Sequence, residues 1–193
     1  MTARHQAPVV LIADPPWEFK DRLPGKTRGA SNNYKTISLD EIKAFRLPLQ
    51  VTSAPDAVLF MWRVSAMQQE ALDVARCWGF QPYGELVWQK LTKTGSRKHF
   101  GLGHILRASH ETCLIAVRGK VPPAVRNVRS TFEAPVGIHS EKPKKFFELV
   151  EALYPHAHRY ELFARRPRSG IAQWGNQLGT LEHGQLQLAG GAM

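Results

Sequence analysis

The chain reads as an α/β protein with a mostly parallel sheet flanked by helices. Three observations lead there. Short runs rich in apolar and β-branched residues recur at 9–13, 58–62, 85–88, 112–117 and 160–164, as in strands buried within a sheet. Between them, 65–78 and 143–153 carry apolar residues at helical spacing. Strands that alternate with helices build a sheet whose neighbours run mostly parallel.

Taken in order, residues 1–8 are a short arm, and Val9-Val10-Leu11-Ile12-Ala13 is the first strand. Pro15 and Pro16 end it, because proline cannot continue a ladder and restricts the residue before it. Asp14 therefore stands at the carboxyl end of a buried strand, the edge where open α/β sheets bind ligands. Residues 18–33 form a loop without hydrophobic period, with Lys20, Arg22, Lys26 and Arg28 among small residues. Its place after Trp17 suits closure over a substrate. Ser38 with Glu41 three residues on opens a helix with a capping box.

After the second strand, Ser65 is placed to cap a helix reaching about Trp78, with Gly79 ending it. Strands three and four enclose a long loop, 89–110. It carries Lys90, Lys93, Arg97, Lys98 and Arg107 without an acidic residue, a composition suited to phosphate contacts. His99, His104 and His110 lie there too, but their spacing fits no usual zinc pattern and no metal is assigned. Residues 121–137 read as irregular and basic. Pro143 suits the first position of the helix that ends near 153. A strand at 160–164, a basic turn at 165–169 and a compact segment at 174–179 follow. The organisation is one domain over 1–182 and a fraying tail of Gln, Gly and Ala over 183–193.

Composition bounds the partner. The 193 residues carry 26 basic and 16 acidic side chains, a net charge of +10, which favours a polyanion. There is no signal-peptide pattern and no apolar stretch of membrane-spanning length. Cys77 and Cys113 lie in apolar surroundings and read as buried, reduced thiols of a cytoplasmic protein. No G-x-G-x-x-G fingerprint is present.

Asp14-Pro15-Pro16-Trp17 carries the chemistry. A carboxylate, two carbonyls without local N–H donors and a flat aromatic face suit a planar ring with an exocyclic amine. Such an amine is a weak nucleophile, because its lone pair is delocalised. Hydrogen bonds from its N–H groups to Asp14 and the Pro15 carbonyl would pyramidalise it and face developing positive charge with fixed acceptors. A plain surface turn with Trp17 as packing uses the same four residues, so the remaining motifs decide.

They do so by order. Tyr34-Lys-Thr, Leu59-Phe60-Met61-Trp62, Trp88-Gln-Lys90, Glu111-Thr-Cys-Leu114, His139-Ser-Glu-Lys-Pro143, Glu161-Leu-Phe163 and Trp174-Gly-Asn-Gln-Leu178 follow the tetrad. Over roughly residues 8–180 the chain resembles the adenosine-N6 methyltransferase family of the messenger-RNA methyltransferase catalytic subunit, most of all its compact bacterial and phage members.

The resemblance implies a Rossmann-like, S-adenosylmethionine-dependent methyltransferase fold with permuted motif order. It implies Asp14, Pro15, Pro16 and Trp17 as catalytic, with Trp17 stacking on adenine. Tyr34, Trp88 and Lys90 would line the acceptor-base pocket. Asp14, Ser140, Lys142, Glu161, Phe163, Arg165, Asn176 and Gln177 would bind S-adenosylmethionine, with Lys142 facing its methionine part. The basic loops, through Lys20, Arg22, Lys26, Arg28, Lys93, Arg97, Lys98 and Arg107, would contact nucleic acid. DNA with single-stranded or unpaired adenine is the leading substrate; RNA and a silent, nucleic-acid-binding partner subunit are the alternatives. Family catalytic domains pair, so a homodimer is also implied. Two departures bear on the cofactor: the upstream Asp-Ile pair is missing, and Arg166-Pro-Arg-Ser169 carries an extra Arg165 before it.

Overall fold

The computed structural model describes residues 7–18, 36–101, 105–137 and 141–175. Within them a seven-stranded sheet runs in the order β5-β3-β4-β2-β1-β6-β7. The strands are β1 (Val9–Ala13), β2 (Ala57–Arg63), β3 (Gln81–Leu91), β4 (His110–Arg118), β5 (Thr131–Pro135), β6 (His158–Leu162) and β7 (Ala172–Trp174). β1 is central and wholly buried, pairing in parallel with β2 and β6. β7 extends β6 in parallel, and β5 extends β3 in parallel. Only β4 runs against its neighbours, between β2 and β3. Six strands thus end, and β4 begins, at one edge of the sheet.

Alternation along the strands splits the core in two. Val9, Leu11, Ala13, Leu59 and Met61 pack with α1 (Leu39–Lys43) and α3 (Gln68–Cys77) through Ile42, Ala71, Val74 and Trp78. Val10, Ile12, Phe60, Trp62, Trp88 and Cys113 pack on the other face with α4 (Lys144–Leu153) through Phe146 and Val150. Short α2 (Leu49–Thr52) lies ahead of β2, a helix the sequence reading does not include.

The element boundaries test the sequence reading. β1 matches residue for residue, and the Ser38–Glu41 capping box is formed in both directions. Ser65 does not cap α3; that helix starts at Gln68 after Met67, without a side-chain cap. Pro143 is the N-cap of α4, one position earlier than expected, and is extended (φ −68°, ψ 147°). β3 reaches well beyond 85–88, because it pairs with β4 from Gln81 to Gln89 and with β5 from Val87 to Leu91. Residues 121–137 are not wholly irregular: they hold β5, whose outward Thr131, Glu133 and Pro135 hide the apolar run. The last predicted strand lies two residues earlier, because Phe163 takes a left-handed conformation (φ 61°) that ends β6. Cys113 is buried, but Cys77 is exposed on the last turn of α3.

Candidate active site

Along β1, Val10 and Ile12 face α4, and Asp14 continues that side beyond the end of the strand. Lys142, immediately before Pro143 and α4, meets it there. Its Nζ donates to Asp14 Oδ2 at 2.8 Å and lies 3.3 Å from Glu111 Oε2. Glu111 also pairs with Lys90 Nζ at 2.6 Å. Two carboxylates and two ammonium groups therefore alternate along the sheet edge, from β1 through the start of β4 to the end of β3. Glu111 reaches this edge because β4 is antiparallel, so its second residue lies beside its neighbours' last ones.

The cluster is mostly shielded; the Lys142 side chain is only 10% exposed. Burial works against charge on Lys142, but Asp14 and Glu111 outweigh it and raise its pKa above the ordinary lysine value. Burial likewise works against Glu111, yet Lys142 and Lys90 hold its carboxyl below the ordinary range. The shifts of Lys142 and Glu111 point the same way: each charge is stabilised by the other. Lys142 Nζ also sits 5.2 Å from the centroid of the Trp62 ring, a cation–π contact strengthened by burial.

Asp14, Pro15, Trp17, Lys90, Glu111, Lys142 and Arg165 line a cavity of about 230 Å³, together with Trp62, Arg63, Ser65, Ala108 and His110. The Trp62 indole Nε1 is buried without a hydrogen-bond partner. Arg63 is held by Glu85 at 2.8 Å. Sequence reasoning passed over Glu111 and Arg63 as site residues; the signal for Glu111 was the absence of any other acid between Gln89 and Ser109.

The tetrad and Lys142 together differ from their sequence reading in three respects. Trp17 walls the cavity, but at 4% exposure it belongs to the core and is no open stacking face. Its Nε1 donates to the Trp62 carbonyl at 2.9 Å, tying the tetrad to β2. The Pro15 carbonyl already accepts from Trp17 N at 2.8 Å, and that of Pro16 accepts from Ile37 N at 3.0 Å. Local donors do compete, so each carbonyl has one lone pair left for a ligand. Lys142 is engaged by Asp14 and Glu111, where the resemblance gave it to the methionine part of a cofactor.

Other assignments divide. Lys90 is at the cavity, fixed by main-chain bonds from its N to Ser109 O and to its O from His99 N. Trp88 is buried behind it, with Nε1 donating to the Ala134 carbonyl of β5 at 2.9 Å, and lines no part of the cavity. Phe163 packs in the core against Phe45 and Trp174. Lys93, Arg97, Lys98 and Arg107 are exposed on the β3–β4 loop. Tyr34, Ser140, Asn176, Gln177, Lys20, Arg22, Lys26 and Arg28, and the tail, lie outside the described residues.

Beside β1, Glu161 forms a second polar group on the α4 face. It is 8% exposed and accepts from Gln173 Nε2 at 2.6 Å. Arg168 Nε lies 3.4 Å away but off hydrogen-bonding geometry, and its guanidinium stacks 3.9 Å from the Phe147 ring centroid. Burial raises the Glu161 pKa, and Arg168 and Gln173 only partly offset it. At the adjoining turn, a Cβ on Gly175 would stand 1.9 Å from the Ala164 carbonyl oxygen, so glycine permits this closure where no other residue fits. A zwitterionic nucleoside cofactor needs a carboxylate partner, an ammonium partner and donors for hydroxyls. Asp14, Glu161, Gln173 and Arg165 offer that mixture at adjoining strand ends, and the unpaired Trp62 Nε1 adds a free donor; the residues fit the group. No group of three histidine, cysteine, aspartate or glutamate side chains is placed to hold a metal ion among the described residues. No described helix is long and apolar enough to cross a membrane.

Known proteins resemble this chain along most of its length. The profile of the MT-A70 family matches residues 8–177. An N(6)-adenosine-methyltransferase MT-A70-like protein of Arabidopsis thaliana is 30% identical over 178 residues, covering 88% of this chain and 23% of the relative. The human N(6)-adenosine-methyltransferase catalytic subunit METTL3 is 28% identical over 187 residues, covering 88% and 28%. The type II methyltransferase M.MunI of a Mycoplasma species is 28% identical over 188 residues, covering 88% and 77%. The chain thus spans about a quarter of the length of the N(6)-adenosine methyltransferases it matches and most of M.MunI. With the ordered motifs, the mostly parallel sheet and Asp14 at the carboxyl end of its central strand, the family match establishes that this chain belongs to the MT-A70 family.

Proposed function

We propose that this chain is an N6-adenine methyltransferase that uses S-adenosylmethionine and acts on DNA, favouring unpaired adenine. The observation that carries the reading is Asp14: a carboxylate fixed by Lys142 beside the Pro15 carbonyl, in a cavity at the end of the central strand. When bound, S-adenosylmethionine supplies an electrophilic methyl group. Asp14, Glu161 and Arg165 would hold it, with Asn176 and Gln177 for its ribose as the family resemblance implies.

The residues of the chain do the rest by positioning. Asp14 Oδ2 is taken by Lys142, so Oδ1 is the acceptor left for one N–H of the adenine amine. The second lone pair of the Pro15 carbonyl can take the other. Those bonds draw the nitrogen lone pair out of conjugation, and both acceptors face the positive charge that grows there. Trp17 fixes the turn through Trp62, so the acceptors need little reorganisation. The amine proton is acidic once nitrogen is alkylated and can leave to water, so Asp14 need not serve as a strong base. Lys142 keeps Asp14 aimed through its hydrogen bond, while Glu111 balances the charge of Lys142.

The DNA reading is favoured by the match to M.MunI over 77% of that methyltransferase's length. The likeness to METTL3 favours adenosine in RNA as the second reading. Transfer from labelled S-adenosylmethionine to matched single-stranded DNA, duplex DNA and RNA tests both, with the product nucleoside identified by mass. N6-methyladenine formed by wild type and lost in Asp14→Ala is the expected result. Transfer to another atom, or to none of the polymers, overturns it.

A further inference from the structure

Beyond the cavity, the loop joining β3 to β4 has a shape that the transfer reaction does not use. The chain leaves β3, turns back with Thr92 N donating to Arg97 O, and bridges Lys98 to Leu91. Gly101 N then donates to Ala108 O at 3.1 Å, closing a neck. The approach is so close that a Cβ on Gly101 would lie 2.1 Å from that oxygen. Ala108, on the returning side of the neck, lines the cavity.

On this projection Phe100, Ile105 and Leu106 are 76%, 95% and 81% exposed. They account for three of the five large apolar side chains exposed among the described residues, so they are no random scatter. Their flank is cationic: Lys93, Arg97, Lys98 and Arg107 are all exposed, and no acid occurs from Gln89 to Ser109. The Arg107 guanidinium lies 5.2 Å from the Phe100 ring centroid. Apolar tips among cations, on a loop whose neck reaches the cavity through Ala108, complement a polyanion whose interior is a stack of bases.

We propose that Phe100, Ile105 and Leu106 form a wedge that enters a duplex beside the target base and occupies the space the base vacates, while the flanking cations hold the phosphates. The proposal rests on the reading above and adds how the protein opens paired substrate. A base must leave the stack before its amine can reach a carboxylate, and apolar side chains inserted between base steps are a general way to hold a duplex open.

Phe100→Ala and Ile105→Ser/Leu106→Ser keep every cavity group and every neck hydrogen bond. Two readouts separate the ideas. In the first, methyl transfer to a duplex and to its isolated strand is compared. The expected result is about a tenfold loss on duplex, in line with the worth of a base–side-chain stack, and at most about a twofold change on the single strand. Equal loss on both, or none on either, overturns the wedge. In the second, 2-aminopurine beside the target position reports unstacking on binding, whether or not transfer occurs. A fluorescence rise with wild type that the variants lose supports the wedge even if no methyl is transferred, which would overturn the transferase reading alone. No rise with wild type overturns the wedge. Light scattering adds one further outcome: variants that turn an oligomer into monomers, or lose binding to anionic vesicles with duplex transfer intact, would assign the patch to a second copy or a lipid surface instead.

Discussion

Asp14 and Glu111 share one ammonium group: Lys142 Nζ lies 2.8 Å from the first and 3.3 Å from the second. Removing either carboxylate leaves a buried cation half-compensated. Asp14→Asn keeps the shape of the site but loses the charge aimed at the amine. Transfer should fall about 10²–10³-fold, the usual worth of one preorganised electrostatic partner. Cofactor affinity, measured by calorimetry, should change far less, because Glu161 and Arg165 are also proposed to hold the cofactor.

Glu111→Gln should leave Asp14 in place and alter the pH dependence. Lys142 would lose one of the two carboxylates that raise its pKa. The alkaline limb of activity should therefore move to lower pH than in wild type. A pH–rate profile checks this; an unmoved alkaline limb with a lower plateau would mean that Glu111 acts only on stability.

Much of this site was legible beforehand, and the exceptions share a cause. The strand and two prolines that place Asp14 are local signals, and they located it correctly. The exposure of Trp17 and Trp88 was not legible, because an indole that walls a cavity and one that packs under it look alike in sequence. Their Nε1 partners, the carbonyls of Trp62 and Ala134, lie far along the chain. Glu111 was missed because its role depends on β4 running antiparallel, a property of sheet order. β5 was missed because alternate exposed polar positions broke up its apolar pattern on an edge strand.

Trp17→Phe separates a structural from a stacking role. The substitution keeps an aromatic face but loses the bond to the Trp62 carbonyl. Stability to denaturant should fall by about 1–3 kcal/mol, since that buried acceptor is left unpaired. Trp17→Ala should cost about 3–5 kcal/mol. If Phe leaves stability unchanged while abolishing base binding, the packing account of Trp17 fails.

Glu161 should impose its own slope on stability. Its folded pKa is raised, chiefly by burial. Its protonated form therefore adds stability that is complete below the ordinary glutamate value of about 4.3 and is lost as pH rises through the raised value. Glu161→Gln should remove this slope, so wild type should lose stability relative to the variant between mildly acidic and neutral pH. Denaturant unfolding at several pH values measures the difference. The Lys142–Glu111 pair acts in the opposite directions: Glu111 gives up its contribution only as pH falls through its depressed value, and Lys142 only as pH rises through its raised one.

Gly175→Ala should push β7 away from the turn after β6, because the added methyl meets the Ala164 carbonyl. A cost of about 1–3 kcal/mol or more is expected from such overpacking. Thermal unfolding measures that cost, and weaker cofactor binding should accompany it.

The single reversed strand has one further consequence. Because β4 alone enters the sheet from the edge where its neighbours leave it, the hairpin before it can lengthen, shorten or change sequence without shifting the register of β1, β2 or β6. On the proposed reading, the edge that would carry out transfer and the hairpin that would meet the nucleic acid are thereby separable in inheritance: one could stay fixed while the other varied.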